Sequence, residues 1–230
     1  MRCRWPILRA NVRQNAQTNL AGCRFYNDRT FGRDCRDCCI GRAAAAGNGA
    51  GEEKGRQISC INSVRQQTLS VLIYADDHAG VLPPTAYMDA FGREIDWPQL
   101  LDPYLNNTAK IHLCPTDRSS KLNSDGLNEL AFVDLTDPDH TAPVRVTAFR
   151  MPSTTIMQGD LGTEDDFKTP RPDTLKLVAP GSTLNDEQDA RPSIRHSGRC
   201  DLGYMDGHSG HPKLKQFYTG QNPTNRWFIP

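Results

Sequence analysis

Arg56-Gln-Ile-Ser-Cys60-Ile-Asn-Ser-Val64-Arg-Gln-Gln-Thr-Leu69-Ser-Val-Leu72-Ile73-Tyr-Ala-Asp-Asp77-His-Ala-Gly80 reads as one amphipathic helix. Ile58, Ile61, Val64, Leu69, Leu72 and Ile73 recur at spacings of three to five, with Arg65, Gln66, Gln67 and Ser70 between them, so one apolar stripe is expected to face a core. Gly80 stands where a left-handed C-terminal cap belongs, and Pro83-Pro84 stops the helix from resuming. Further on, Trp97, Leu100, Leu101, Tyr104 and Leu105 share one face of a second short helix, with Asp96 placed to cap its start. After Leu105 the pattern turns to short extended segments between turn-forming residues, and strands are expected at 144–149, 154–157 and 200–205. Asp206-Gly207 after the last of these is a hairpin signal, on the argument that both central positions of such a turn take positive φ. The expected fold class is α+β, an N-terminal amphipathic helix packed on a small antiparallel sheet.

The whole chain has 230 residues, of which 37% are apolar and 7% aromatic, with a mean hydropathy of -0.61. Its length allows one domain, or a domain and an appendage. No apolar run of about 18 residues is present, so the chain as written is expected to be soluble and monomeric. Twenty-seven basic and 27 acidic side chains cancel, which gives no reason to expect a nucleic-acid partner. That balance averages two unlike pieces. Residues 1–55 carry 10 Lys/Arg against 5 Asp/Glu, and residues 56–230 carry 17 against 22. Cys3, Cys23, Cys35, Cys38 and Cys39 fall in the first piece, and only Cys60, Cys114 and Cys200 in the second. The first piece has few aliphatic residues and a flexible-looking tract at 43–51, and reads as non-globular. Its Cys35-x-x-Cys38-Cys39 lacks a second ligand pair and a histidine, which argues against a zinc site there.

The second piece resembles a known family. Arg56 to Asn62, then Gln66, then Tyr74-Ala-Asp-Asp77-His-Ala-Gly80-Val-Leu-Pro83-Pro84, is similar to the stretch that follows the membrane helix in bacterial pseudopilin-like proteins. Cys114-Pro-Thr-Asp117 resembles the family's Cys-Pro-Ser-Asp element, and Met151-Pro-Ser-Thr-Thr-Ile-Met157 its strand entry. Most specific is Arg195-His196-Ser-Gly198 leading to Asp206-Gly207-His208, with nine residues between His196 and Asp206. That spacing resembles the prepilin-type H-x(9)-D-G domain, and the likeness spans about residues 56–210.

The departure is at the N-terminus, where the family has a basic leader, a Gly-Phe-Thr-x-x-Glu cleavage motif and some twenty apolar residues. Reading the gene one nucleotide later restores that pattern on paper. Arg24 to Arg29 then permit Gly-Phe-Thr-Thr-Ile-Glu, and the codons of Asp34, Cys35, Asp37, Cys38, Cys39 and Ile40 permit no charged residue. We therefore expect residues 1 to about 55 to be an out-of-frame translation of a leader and membrane helix.

What the resemblance implies is assembly without catalysis. A prepilin peptidase would cut the restored leader, the apolar helix would anchor the subunit in the inner membrane, and other pseudopilin subunits would pack on it in a type II secretion-like filament with the domain in the periplasm. It also points to a disulfide between Cys60 and Cys114, the two cysteines inside family-like motifs, in an oxidising compartment. His196, Gly198, Asp206, Gly207 and His208 are then structural residues, with His196 and Asp206 bracketing a strand. No cofactor is expected. Two other classes compete. A hydrolase or metal-binding module would use His196, Asp206, His208 and His211, with Asp160. A calcium-stabilised module would use oxygen-rich loops such as Glu164-Asp165-Asp166 or Asp186-Glu187.

Overall fold

The computed structural model describes residues 34–230 except 140, 141, 185, 186, 188 and 230, and gives side chains from residue 51 onward. Positions 1–33, with Cys3, Cys23 and the restored cleavage motif, lie outside the described residues, as does Asp186 of one calcium-loop candidate. The chain divides into two compact units, residues 1–46 and 47–230. Of the first, residues 34–46 are described and are helical, and the packing below concerns the second. The compositional change at Gly55 is not a break in the backbone, because helix α1 spans Asp34–Asp77.

α1 buries a different stripe from the expected one. Cys60, Val64, Gln67, Thr68, Val71 and Ala75 are buried, whereas Ile58, Leu69 and Ile73 are 59%, 43% and 51% exposed. The reason is the distance of approach. Strand β7, Leu202–Tyr204, runs beneath α1 with Gly203 directly under Thr68, and a Cβ on Gly203 would overlap the Thr68 hydroxyl. Helix and sheet meet backbone to backbone there, so small and polar residues line the contact while the bulky aliphatics point outward. Gln67 and Ser70, read from the sequence as the solvent side, are buried because each has a partner: Gln67 Nε2 donates to the Ile111 carbonyl at 2.7 Å and Ser70 Oγ to the Gln67 carbonyl at 2.7 Å. At its end α1 closes with Gly80 N–H on the Ala75 carbonyl at 2.7 Å, and the left-handed conformation falls on Ala79 (φ 55°) as well as Gly80 (φ 81°).

Strands β1 (Ala86–Met88) and β2 (Glu94–Asp96) form a separate antiparallel pair. α2, Trp97–Leu101, follows and passes into a 3₁₀ turn over Asp102–Leu105, where Pro103 removes an α-helical donor. Asp96 is extended at the start of α2, but its carboxylate makes no capping bond. The residue two positions on is Pro98, which has no N–H, and the Trp97 N–H is taken by the Thr85 carbonyl at 2.9 Å.

The main sheet holds β3 (Asp125–Asn128), β4 (Ile156–Gly162), β5 (Lys176–Leu177), β6 (Asp189–Pro192), β7 and β8 (Ser209–Gly210) in the order β3-β5-β6-β4-β7-β8. β3 also pairs with β4, so four strands close on one another. The fold is α+β, but the sheet is mixed: β5 runs parallel to both β3 and β6, and an all-antiparallel sheet does not form. The expected strand at 144–149 is absent. It makes one bridge, Val81 to Arg145, and then coils into a 3₁₀ turn at Val146–Ala148 that delivers Phe149 to the core. One core cluster lies under α1 and α2, around Trp97, Leu101, Phe132 and Met157. The second fills the sheet's other side with Leu161, Leu177, Phe217 and Phe228.

Candidate functional site

The long antiparallel strand β4 places Asp160 directly opposite Asp125 of β3, and both carboxylates are buried. Like charges in register across a strand pair repel, so other groups must hold this arrangement. Arg195, three residues beyond β6, has a side chain only 3% exposed and lies 3.2 Å from Asp117 and 3.7 Å from Asp160. Its Nη2 also donates to the Ser124 and Leu161 carbonyls at 3.0 and 2.7 Å. Asp201, one residue before β7, gives its backbone N–H to Asp160 Oδ2 at 2.9 Å and receives the His211 imidazole on its carboxylate. Gln67 from α1 donates to Asp125 at 3.0 Å.

His196 sits at the centre, fully buried. Its Nε2 is 3.2 Å from Cys114 Sγ, 3.6 Å from Asp201 Oδ2 and 3.9 Å from Asp160 Oδ2. Ser197 and Gly198 both take positive φ (54° and 78°), which bends the chain sharply enough to return His196 to the sheet. Cys60 of α1 and Cys114 are joined as a disulfide beside it, with Cα atoms 5.3 Å apart and a separation of 54 positions in sequence. The group Cys60, Cys114, Asp160 and His196, all buried, could hold a metal ion, their ligand atoms lying within 4.8 Å of one another.

The electrostatics follow from burial. Asp201 is pushed up to about 9 and Asp125 to about 7, first by desolvation and then by the neighbouring Asp160 carboxylate. Desolvation likewise lowers His196, against the pull of Asp160, and favours the neutral imidazole. Asp117 goes the other way. Burial opposes its ionisation, but hydrogen bonds from Ser119 and Ser120, together with the Arg195 charge, hold it down to about 2.

The structure separates the residues that a hydrolase reading grouped together. His196, Asp160 and His211 come together, His196 and His211 with ring centroids 6.5 Å apart, whereas Asp206 and His208 pair with each other on the loop after β7. There the His208 N–H donates to Asp206 Oδ1 at 3.1 Å and the His208 ring stacks on Tyr204 at 4.1 Å. Gly207 has φ 91° but Asp206 does not share the left-handed region, because the loop has three residues, Met205 to Gly207, and closes through Tyr204 N–H on the His208 carbonyl. Asp206→Ala is therefore expected to cost about 1–2 kcal/mol in urea unfolding of the whole chain, the usual scale for a lost turn interaction. A loss above about 4 kcal/mol would tie Asp206 to the buried cluster instead.

The acidic loop 164–166 is occupied by its own chain. Asp166 accepts the Lys168 and Thr169 N–H groups at 2.8 and 2.9 Å, and Glu164 pairs with Arg191 at 3.0 Å. No protein-family model, curated protein or solved structure matches the chain.

Proposed function

We propose that the chain is a structural subunit of a pseudopilin-type filament, with the α+β domain as its outer part. One observation carries the reading. Within residues 51–77 the fully buried positions of α1 begin at Cys60; before it Glu53 and Gln57 reach His196 and His211 on one face, while on the opposite face a Cβ at Gly51 or Gly55 would meet nothing within 4 Å. A helix that binds its own sheet at close range along one face and leaves the opposite face open is the arrangement a filament subunit needs, with the open face available to neighbouring copies. The ordered motifs from Arg56 to His208 support the same reading, as does a buried disulfide, which belongs to an oxidising compartment. Ile58, Leu69 and Ile73 form an exposed apolar row on the outward side of α1, a surface suited to lateral packing. Among the described residues no helix is long and apolar enough to cross a membrane, so in this reading the anchor comes from the out-of-frame segment.

The test is made in the source cell. Sequencing the locus is expected to show a one-base insertion or deletion near codons 54–56, or an upstream start in the shifted frame. Antibodies against residues 56–230 are expected to find the protein in the envelope fraction, where cysteines introduced at Ile58 and Ile73 cross-link copies to one another. Polar or stop codons in the shifted frame between Arg24 and Lys54, together with a cytoplasmic protein that does not cross-link, would defeat the reading.

A further inference from the structure

We infer that reduction of the Cys60–Cys114 disulfide turns the buried cluster into a zinc site, with Cys60, Cys114, His196 and Asp160 as its four ligands. The inference stands on the cluster alone and does not depend on the filament reading.

Geometry is the first support. Tetrahedral zinc holds nitrogen, oxygen and sulfur ligands at about 2.0–2.3 Å, which sets them roughly 3.3–3.8 Å from one another. Cys114 Sγ and His196 Nε2 are 3.2 Å apart, and His196 Nε2 and Asp160 Oδ2 are 3.9 Å apart. Once the sulfur–sulfur bond is broken, rotation about the cysteine side chains separates the two sulfurs to that range with the Cα atoms still 5.3 Å apart. The four ligands come from four places in the fold: α1, the loop before β3, strand β4 and the bend after β6.

Charge is the second. The carboxylates of Asp117, Asp125, Asp160 and Asp201 are gathered around one guanidinium, that of Arg195. Asp117 already takes an ion pair with it. Asp125 Oδ1, Asp160 Oδ1 and Asp201 Oδ2, carboxylate oxygens around the proposed ligands, are buried without a hydrogen-bond partner. Buried acceptors in this state are costly, and a divalent cation held by Asp160 Oδ2 beside them would offset the negative charge they carry.

The donor set chooses the metal. Two thiolates and an imidazole suit zinc, whereas calcium and magnesium take oxygen ligands. The surroundings are also those of a metal site. The Asp201 N–H steadies Asp160 Oδ2 at 2.9 Å, and Glu53 lies 3.9 Å from the outer ring nitrogen of His196, the position from which a carboxylate orients a metal-bound imidazole.

The chemistry balances. A dithiol reductant delivers two electrons and two protons to the disulfide, giving two thiols, and itself becomes a disulfide. Zinc then displaces both thiol protons to solvent as it binds the thiolates. Oxidation reverses the sequence and releases the ion, so disulfide and metal exclude each other.

The experiment uses the full chain with Cys3, Cys23, Cys35, Cys38 and Cys39 changed to serine, so that only the three domain cysteines remain. The protein is reduced with a phosphine, desalted and titrated with zinc alone. We expect one zinc per chain after desalting, two protons released for each zinc bound, and tetrahedral thiolate–cobalt bands when cobalt replaces zinc. The oxidised chain is expected to retain less than a tenth as much. His196→Gln and Asp160→Asn should each weaken binding at least tenfold and change the cobalt spectrum, and Cys200→Ser should change neither. If the reduced chain is unfolded, circular dichroism should show zinc restoring the fold. A reduced chain that takes up no zinc, or stays unfolded in its presence, overturns the inference. So does equal uptake by the oxidised chain, by the Cys60→Ser/Cys114→Ser variant, or only with Cys200 intact.

Discussion

Arg195→Met is expected to destabilise the domain by about 3–5 kcal/mol, the scale for removing one partner of a buried charge group. The guanidinium is buried, its side chain 3% exposed, and its pKa is raised. Burial opposes its charge, and Asp160, Asp125 and Asp117 outweigh that opposition. Methionine keeps much of the side-chain volume but leaves Asp117 and Asp160 without their cation, and frees the Ser124 and Leu161 carbonyls that Nη2 now satisfies. Those two carbonyls belong to the segment before β3 and to β4, so the loss should loosen the pairing of the two strands as well as lower the global stability. Urea unfolding with far-ultraviolet circular dichroism measures it. A double-mutant cycle with Asp117→Asn isolates the ion pair, and the second substitution should recover more than 1 kcal/mol of the Arg195→Met loss, since it removes the carboxylate left uncompensated. A loss below 1 kcal/mol for Arg195→Met would show that the carboxylates are neutralised in another way.

The sequence reveals this architecture unevenly, and the reasons are physical. α1 is legible from Arg56 to its stop at Gly80-Pro83-Pro84, because period and stop are local properties, whereas its start at Asp34 falls in a stretch read as non-globular. Its buried face is not, because that face is decided by Gly203, more than a hundred residues away, whose missing side chain lets Thr68 and Gln67 sit where Leu69 and Ile73 would not fit. Hydrophobic period alone assumes that the large aliphatic residues go inward. The buried carboxylates fail for a similar reason. Asp125 stands in Ser-Asp-Gly-Leu-Asn and is not singled out there, yet it is borne on β3, and Asp201, expected within a strand over 200–205, lies one residue before β7; both are buried acids held by groups from elsewhere in the chain. A signal for them was present in Arg195-His196, since a cation and a ligand side by side after an extended segment invite a search for buried acids. His196 and Asp206 stand out together through their spacing, but the fold gives them separate partners: a bend returns one to the cluster, and the other closes a hairpin.

Replacing both Cys60 and Cys114 by alanine is expected to lower the stability of the oxidised protein by about 4 kcal/mol, the chain-entropy value for a closed loop of this length. The bridge spans 54 positions and joins α1 to the segment between the 3₁₀ turn at Ala109–His112 and β3. Around that tie the contacts are few and polar: Cys114 N–H bonds Ser124 Oγ at 3.0 Å and Gln67 reaches the Ile111 carbonyl. The apolar packing that holds α1 from the other side begins only at Val64 and Val71. Loss of the bridge should therefore act first on the turns of α1 that follow Cys60, and amide exchange is expected to speed up between Cys60 and Thr68 before it does so between Val71 and Asp77. Metal-free wild-type protein reduced with a phosphine should unfold within about 1 kcal/mol of the double-alanine variant, because the same loop is open in both. A variant as stable as the oxidised protein would mean that the helix is held by its polar contacts alone. Uniform loss of protection from Cys60 to Asp77 would show that the bridge acts on the global fold instead of on one stretch of the helix.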